Sequence, residues 1–105
     1  MYQKGKTPVY ARVTTFQLQP GKIDAWLHIA HELVIPVIKQ QRGYKNGVVL
    51  TDTNANKIMV ITLWETEDDM KAGETSGYYR EQLAQVVPLL AAVPVPEAYE
   101  VSVQA

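Results

Sequence analysis

The chain has 105 residues, 47% of them hydrophobic and 20% charged, with a formal net charge of −1 and no cysteine. That is one domain's length in ordinary globular proportions, which excludes a disordered chain, and the balanced charge excludes the basic footprint of a nucleic-acid or anionic-membrane binder. Without cysteine there is no disulfide, thiolate nucleophile or thiolate metal centre, as suits a reducing cytosol; no signal peptide or membrane span is expected, and a cytoplasmic location is.

Met1–Pro8 reads as a short mobile tail ahead of a single domain over residues 9–105. Val9–Leu18 is β-branched and aromatic, the composition of a first strand, and Pro20-Gly21 is a turn. Lys22–Gln41 carries helical periodicity: Ile23, Trp26, Leu27, Ala30, Leu33, Val34 and Val37 form one stripe, with Asp24, His28, Glu32 and Lys39 opposite. Pro36 removes the bond to the Glu32 carbonyl, so the helix is expected to bend or lose its regularity there.

Gly43 closes this helix, and Tyr44–Asp52 follows as a second strand with a bulge expected near Gly47. Thr53-Asn54-Ala55-Asn56 is a polar link of the length that joins antiparallel strands. The third strand, Lys57–Glu65, is apolar on both faces: Ile58, Val60 and Trp64 on one, Met59, Ile61 and Leu63 on the other. Thr66 then reads as a helix N-cap with Asp69 in the capping-box position, and the run Glu67-Asp68-Asp69 suits a helix's positive end. The glycines and hydroxyl residues of Gly73–Gly77 are expected to break this helix. A further one over about Tyr78–Ala92 would bury Tyr79, Leu83, Val86 and Leu90, with Pro88 disturbing its last turns. Val93-Pro94-Val95-Pro96 reads as a stiff extended link and Ala98–Val103 as a last strand.

The order β-α-β-β-α-β fits an α+β ferredoxin-like sandwich with both helices on one sheet face and the first and third strands central. The second apolar face then needs a cover of its own, most simply another copy of the chain, so a symmetric homodimer is expected. The C-terminal strand could reach across that dimer.

Four segments carry a family likeness. They are the Gln19-Pro20-Gly21-Lys22 turn, the Gln41-Arg42-Gly43-Tyr44 passage, Leu63-Trp64-Glu65-Thr66 before an acidic helix, and the closing Ala98-Tyr99-Glu100-Val101. In this order and spacing the chain from Val9 onward resembles the antibiotic biosynthesis monooxygenase-like family of dimeric α/β-barrel proteins. The resemblance implies two sheets facing each other in a dimer, and a ligand pocket between helices and sheet in each subunit. It spans cofactor-independent oxygenases of aromatic polyketides and quinols, and haem-degrading enzymes. The haem-degrading pattern has an Asn in the first strand, a Trp ending the third and a His on the next helix. Trp64 matches, but Ala11 and Glu74 stand near the other two positions and no histidine follows His31, so haem is not implied.

The residues themselves nominate a small set. Trp64 is either a pocket wall that stacks on a flat aromatic or a core residue joining sheet to helix, its indole N–H bonded to a backbone carbonyl. Trp26, Tyr10 and Tyr79 complete the expected aromatic binding set, Tyr79 being favoured over Tyr78 because it shares the helix stripe with Leu83 and Val86. Tyr44 and Tyr99 are further hydroxyls of this kind. His31, at the edge of the first helix's stripe, is the candidate base that would take a phenolic proton, or else an ordinary boundary histidine. His28 lies on the polar face, and the pair His28…His31 lacks a third ligand, so no metal is expected. Arg12 would pair with Glu65 or Glu100 across strands, or capture an anion. Ile35 lies opposite the stripe, where it could touch a partner across a dimer.

The function expected is oxygenation of a small phenol- or quinol-like aromatic without metal or flavin. The alternative is a non-catalytic, small-molecule-binding or stress-response homodimer of the same fold. An isomerase or lyase would need an acid and a base that only His31 and a tyrosine could supply.

Overall fold

The computed structural model describes residues 9–104. The expected tail, residues 1–8, lies outside the described residues, as does the Tyr78 side chain. Four antiparallel strands form one sheet in the order β2-β3-β1-β4. These are β1 (Val9–Gln17), β2 (Tyr44–Asp52), β3 (Lys57–Trp64) and β4 (Val95–Val101). The two central strands are the first and third, as the split β-α-β order requires.

Alternation then sets the layers. Phe16 lies across from Ile58, and both point under the helices with 2% and 0% exposure. Around them Leu18, Ile23, Trp26, Ala30 and Val86 complete the larger core, with the Phe16 and Trp26 rings 5.1 Å apart. A second cluster of Ile38, Trp64 and Met70 is packed by Tyr10, Tyr44 and Tyr79. The opposite sheet face carries Ile61 between Val13 and Val48, and Met59 beside Leu50. There Val48 and Leu50 are each 49% exposed and Tyr99 50%, a breadth of open apolar surface that a small protein seldom leaves to water.

The first helical run departs from a plain α-helix one turn earlier than Pro36. It comprises α1 (Ile23–Ile29), a π-helical turn (Ala30–Val34) and α2 (Ile35–Ile38). The Ile35 N–H donates to the Ala30 carbonyl, five residues back, so one extra residue is accommodated just before the proline. That insertion shifts the phase of the buried stripe. Val34 is buried as expected and Ile38 joins it inside, while Leu33 is 41% exposed and Val37 half-buried, where the unbroken period had placed both inside. It also brings Ile35, expected opposite the stripe, to the inner side.

Gly43 ends this run with φ +80, a left-handed backbone that favours glycine, and a Cβ there would stand 2.6 Å from the Asp69 Cβ. The bulge of β2 falls at Lys45, between Tyr44 and Asn46, two residues before Gly47. In α3 (Glu67–Thr75) the Thr66 hydroxyl oxygen accepts from the Asp69 N–H at 3.0 Å, the expected cap. The Asp69 carboxylate turns instead toward Arg42, 3.7 Å from its Nε.

Gly73 does not break α3; it sits buried inside it. The break falls at Ser76, whose hydroxyl caps α4 (Gly77–Leu83), and a 3-10 turn (Ala84–Leu89) containing Pro88 replaces the continued helix expected to Ala92. Gly73 is there for space. A Cβ would lie 2.6 Å from Trp64 Cη2. Gly73→Ala is therefore expected to lower stability by about 1–2 kcal/mol, overpacking outweighing the gain in helix propensity. A thermal melt checks this, and a raised midpoint would mean that the Trp64 ring has room to retreat.

The last strand starts at Val95, three residues before the expected Ala98, and includes Pro96 opposite Thr14. An edge strand tolerates this proline because one of its sides has no partner to donate to. Among the described residues no helix is long and apolar enough to cross a membrane.

Candidate functional site

Between the helices and the covered sheet face lies a cavity of about 620 Å³. Its floor is sheet: Thr14 and Phe16 of β1, Val60 and Thr62 of β3, and Val49 of β2. One wall is the first helical run with Trp26, Ala30 and Val34, closed by Ile35, which the π turn has rotated into the lining. The other wall is α4 and its 3-10 extension with Tyr79, Leu83 and Val86. The lining is mostly apolar, with Thr14, Thr62, Tyr44 and Tyr79 as its hydroxyl-bearing residues, the form of site that takes a small, largely apolar molecule.

Of the residues nominated from sequence, Trp26, Tyr79 and His31 meet at this cavity. The imidazole of His31 is 80% exposed at the rim, with Nδ1 3.7 Å from Glu32 Oε1, so it faces solvent more than the interior. Trp64 and Tyr10 lie outside the lining, in the second core cluster. The Trp64 indole N–H donates to the Thr62 hydroxyl oxygen at 2.9 Å, a side-chain partner where a backbone carbonyl was expected, and its ring meets Tyr44 edge-on at 5.6 Å. Through Thr62 and Tyr44, Trp64 supports two cavity residues without reaching the cavity itself. Tyr99 lies on the open sheet face, its hydroxyl donating to Glu97 Oε2 at 2.9 Å.

Arg12 takes neither expected partner. It faces the helices beside Thr62, and its Nη1 pairs with Glu74 of α3 rather than with Glu65 or Glu100. The helix, not a neighbouring strand, presents the nearest carboxylate. The Arg12 side chain is 11% exposed and Glu74's 37%. Among the described residues the buried Arg12 Nε and Trp26 Nε1 have no hydrogen-bond partner. Burial depresses the Arg12 pKa and the nearby Tyr79 hydroxyl partly offsets this; a guanidinium remains cationic throughout. Burial raises the Tyr79 hydroxyl above the ordinary tyrosine range, and the Arg12 charge pulls it back. Tyr79 thus stays protonated at neutral pH, with a hydroxyl hydrogen available to donate. Among the described residues no three His, Asp or Glu side chains gather as a metal site.

Fold and cavity together define a ferredoxin-like α+β protein of the antibiotic-biosynthesis-monooxygenase type, with room for a small molecule under its helices. The family model for antibiotic biosynthesis monooxygenase matches residues 9–85, and the chain belongs to that family. Among solved structures, a protein of unknown function from Nitrosomonas europaea superposes with a TM-score of 0.79 at 17% identity, covering 96% of each chain. A mutant of SnoaB, a cofactor-independent oxygenase from Streptomyces nogalater, superposes with a TM-score of 0.77 at 9% identity, over 91% of this chain and 95% of that one. At these identities the likeness is one of fold. Among curated proteins, an uncharacterized protein of Mycobacterium tuberculosis is 26% identical over 98 residues, which is 90% of this chain and 41% of the relative. A second from the same organism is 30% identical over 64 residues, 61% of this chain and 27% of the relative. The chain thus spans well under half the length of the curated relatives it matches.

Proposed function

We propose that this protein is an oxidoreductase that binds a small phenol- or quinol-like aromatic in the cavity and oxygenates it with dioxygen, using neither metal nor flavin. The observation that carries the reading is the cavity: a mostly apolar lining that includes Trp26 and Phe16, with the hydroxyl-bearing residues Tyr79, Tyr44, Thr62 and Thr14 among it. Such a site holds a flat ring and places hydrogen-bonding groups along its edge. The reaction balances without a cofactor. A quinol loses its hydroxyl proton, and the electron-rich anion reduces dioxygen. One oxygen atom replaces a ring hydrogen and the other leaves as water, so quinol plus dioxygen gives hydroxyquinone plus water. His31 at the rim is the candidate proton acceptor. The protein would work in the cytoplasm as a homodimer, two copies covering each other's open sheet faces.

The solvated position of His31 favours a second reading, a non-catalytic small-molecule-binding dimer, because this imidazole stands at the rim and faces solvent. Tryptophan fluorescence with simple quinols, followed by oxygen-electrode measurements on those that bind, separates the two. Oxygen consumption above the rate of quinol alone supports the oxygenase, and its loss in His31→Ala assigns His31 as the proton acceptor. Saturable binding without oxygen uptake supports the second reading and rejects the first for those compounds.

A further inference from the structure

The polar end of the cavity has a structure of its own. Tyr79 lines the cavity, and Arg12, outside the lining, is nearly buried on the same sheet face, near enough for its charge to act on the Tyr79 hydroxyl. Arg12 lies in register with Thr62 and two residues before Thr14, both of which line the cavity floor. Among the described residues its carboxylate partner is Glu74, more than a third exposed, and Nε has no partner. A buried guanidinium with one partly solvated counterion is incompletely neutralised, and its field extends into the low-dielectric space beside it. The Tyr79 hydroxyl feels that field. The other groups of the lining that can be cationic, His31 and Lys39, are exposed, where water screens them.

We propose that Tyr79 and Arg12 form an anion seat: the Tyr79 hydroxyl donates to the deprotonated oxygen of the bound ligand, and Arg12 near it, moderated by Glu74, supplies the positive potential that makes the anion the bound form. This deepens the reading of the cavity as an aromatic site and rests on it. It also relieves His31 of a demanding task. If the site itself favours the phenolate, the proton need only be released at the rim, to the exposed imidazole or to water. Tyr79 touches the ligand; Arg12 acts through its field and by polarising Tyr79, and is a positioning residue.

The test uses two probes of one shape, 4-nitrophenol, whose anion is coloured, and 4-nitroanisole, which cannot ionise. On the wild-type protein the seat is expected to bind nitrophenolate about tenfold more tightly than neutral nitrophenol, lowering the apparent pKa of the bound probe by about one unit. Arg12→Gln is expected to weaken nitrophenolate binding roughly tenfold and to abolish the pKa displacement, with nitroanisole binding unchanged within about twofold. Tyr79→Phe, which keeps the ring and its packing, should lose part of the same preference. Glu74→Gln provides the sign that a purely structural ion pair could not: with its counterion gone Arg12 acts more strongly, and nitrophenolate binding should tighten. Nitrophenolate affinity unchanged in Arg12→Gln and Tyr79→Phe, or Arg12→Gln and Glu74→Gln weakening both probes in parallel, would overturn the seat while leaving the cavity reading intact. Failure of the wild-type protein to bind either probe would overturn both.

Discussion

Trp64→Ala is expected to lower the unfolding free energy by about 3–5 kcal/mol, the range for removing a large aromatic from a packed core. The ring is 2% exposed, and it touches elements from three parts of the chain. It meets Tyr44 of β2 edge-on, gives its N–H to Thr62 of β3, and lies against Gly73 of α3, where no side chain could fit between. The alanine variant leaves Gly73 facing a void and strands the Thr62 hydroxyl, which is itself buried. Because Trp64 is absent from the cavity lining, binding of a neutral aromatic to the folded variant should change little compared with the loss of stability. Urea unfolding together with a nitroanisole titration on Trp64→Ala and the milder Trp64→Phe separates the two roles. A small stability change with ligand binding abolished would place Trp64 in the site after all.

This residue shows how far the sequence carries. The placement of Trp64 at the end of a doubly apolar strand, before a capped acidic helix, was legible because strand alternation and the Thr66 cap are local signals. Its partners were not, because Gly73 reads in sequence as a helix breaker, and only the docked helix reveals that its missing side chain makes room for an indole. The same limit explains Arg12. Strand neighbours can be read from pairing order, but the carboxylate that meets Arg12 arrives on α3 through tertiary packing. The π turn was hidden for a different reason. Leu33-Val34 and Val37-Ile38 are adjacent apolar pairs, so two helical phases fit the pattern equally, and one inserted residue decides between them. That insertion matters to the site, since it brings Ile35 into the cavity lining. Tyr79 was recoverable because it shares a short helical stripe with Leu83 and Val86, which line the cavity beside it.

The open sheet face leads to the other large effect. Met59 lies on central strand β3, with Thr15 on one side and Leu50 on the other, and all three side chains point away from the helices. In a single subunit this position is only half-buried, so a lysine there keeps its ammonium in water and the fold should survive. In a dimer whose sheets face each other the same lysine would be enclosed, with its symmetry mate in the opposing sheet and Lys57 two residues away on the same face. Enclosing an unpaired charge costs about 3–5 kcal/mol, so Met59→Lys should weaken association by two to three orders of magnitude or more. Sedimentation velocity on wild-type and variant protein reads this directly: a wild-type dimer at micromolar concentration, and a folded variant monomer with an unchanged far-ultraviolet spectrum. A wild-type protein that sediments as a stable monomer would show that Val48, Leu50 and Tyr99 tolerate water uncovered, and the facing-sheet dimer would then have to be abandoned. The cavity lies on the other side of the sheet, so the monomeric variant should still take up nitroanisole, and oxygen uptake by that monomer would show that each subunit carries a complete site.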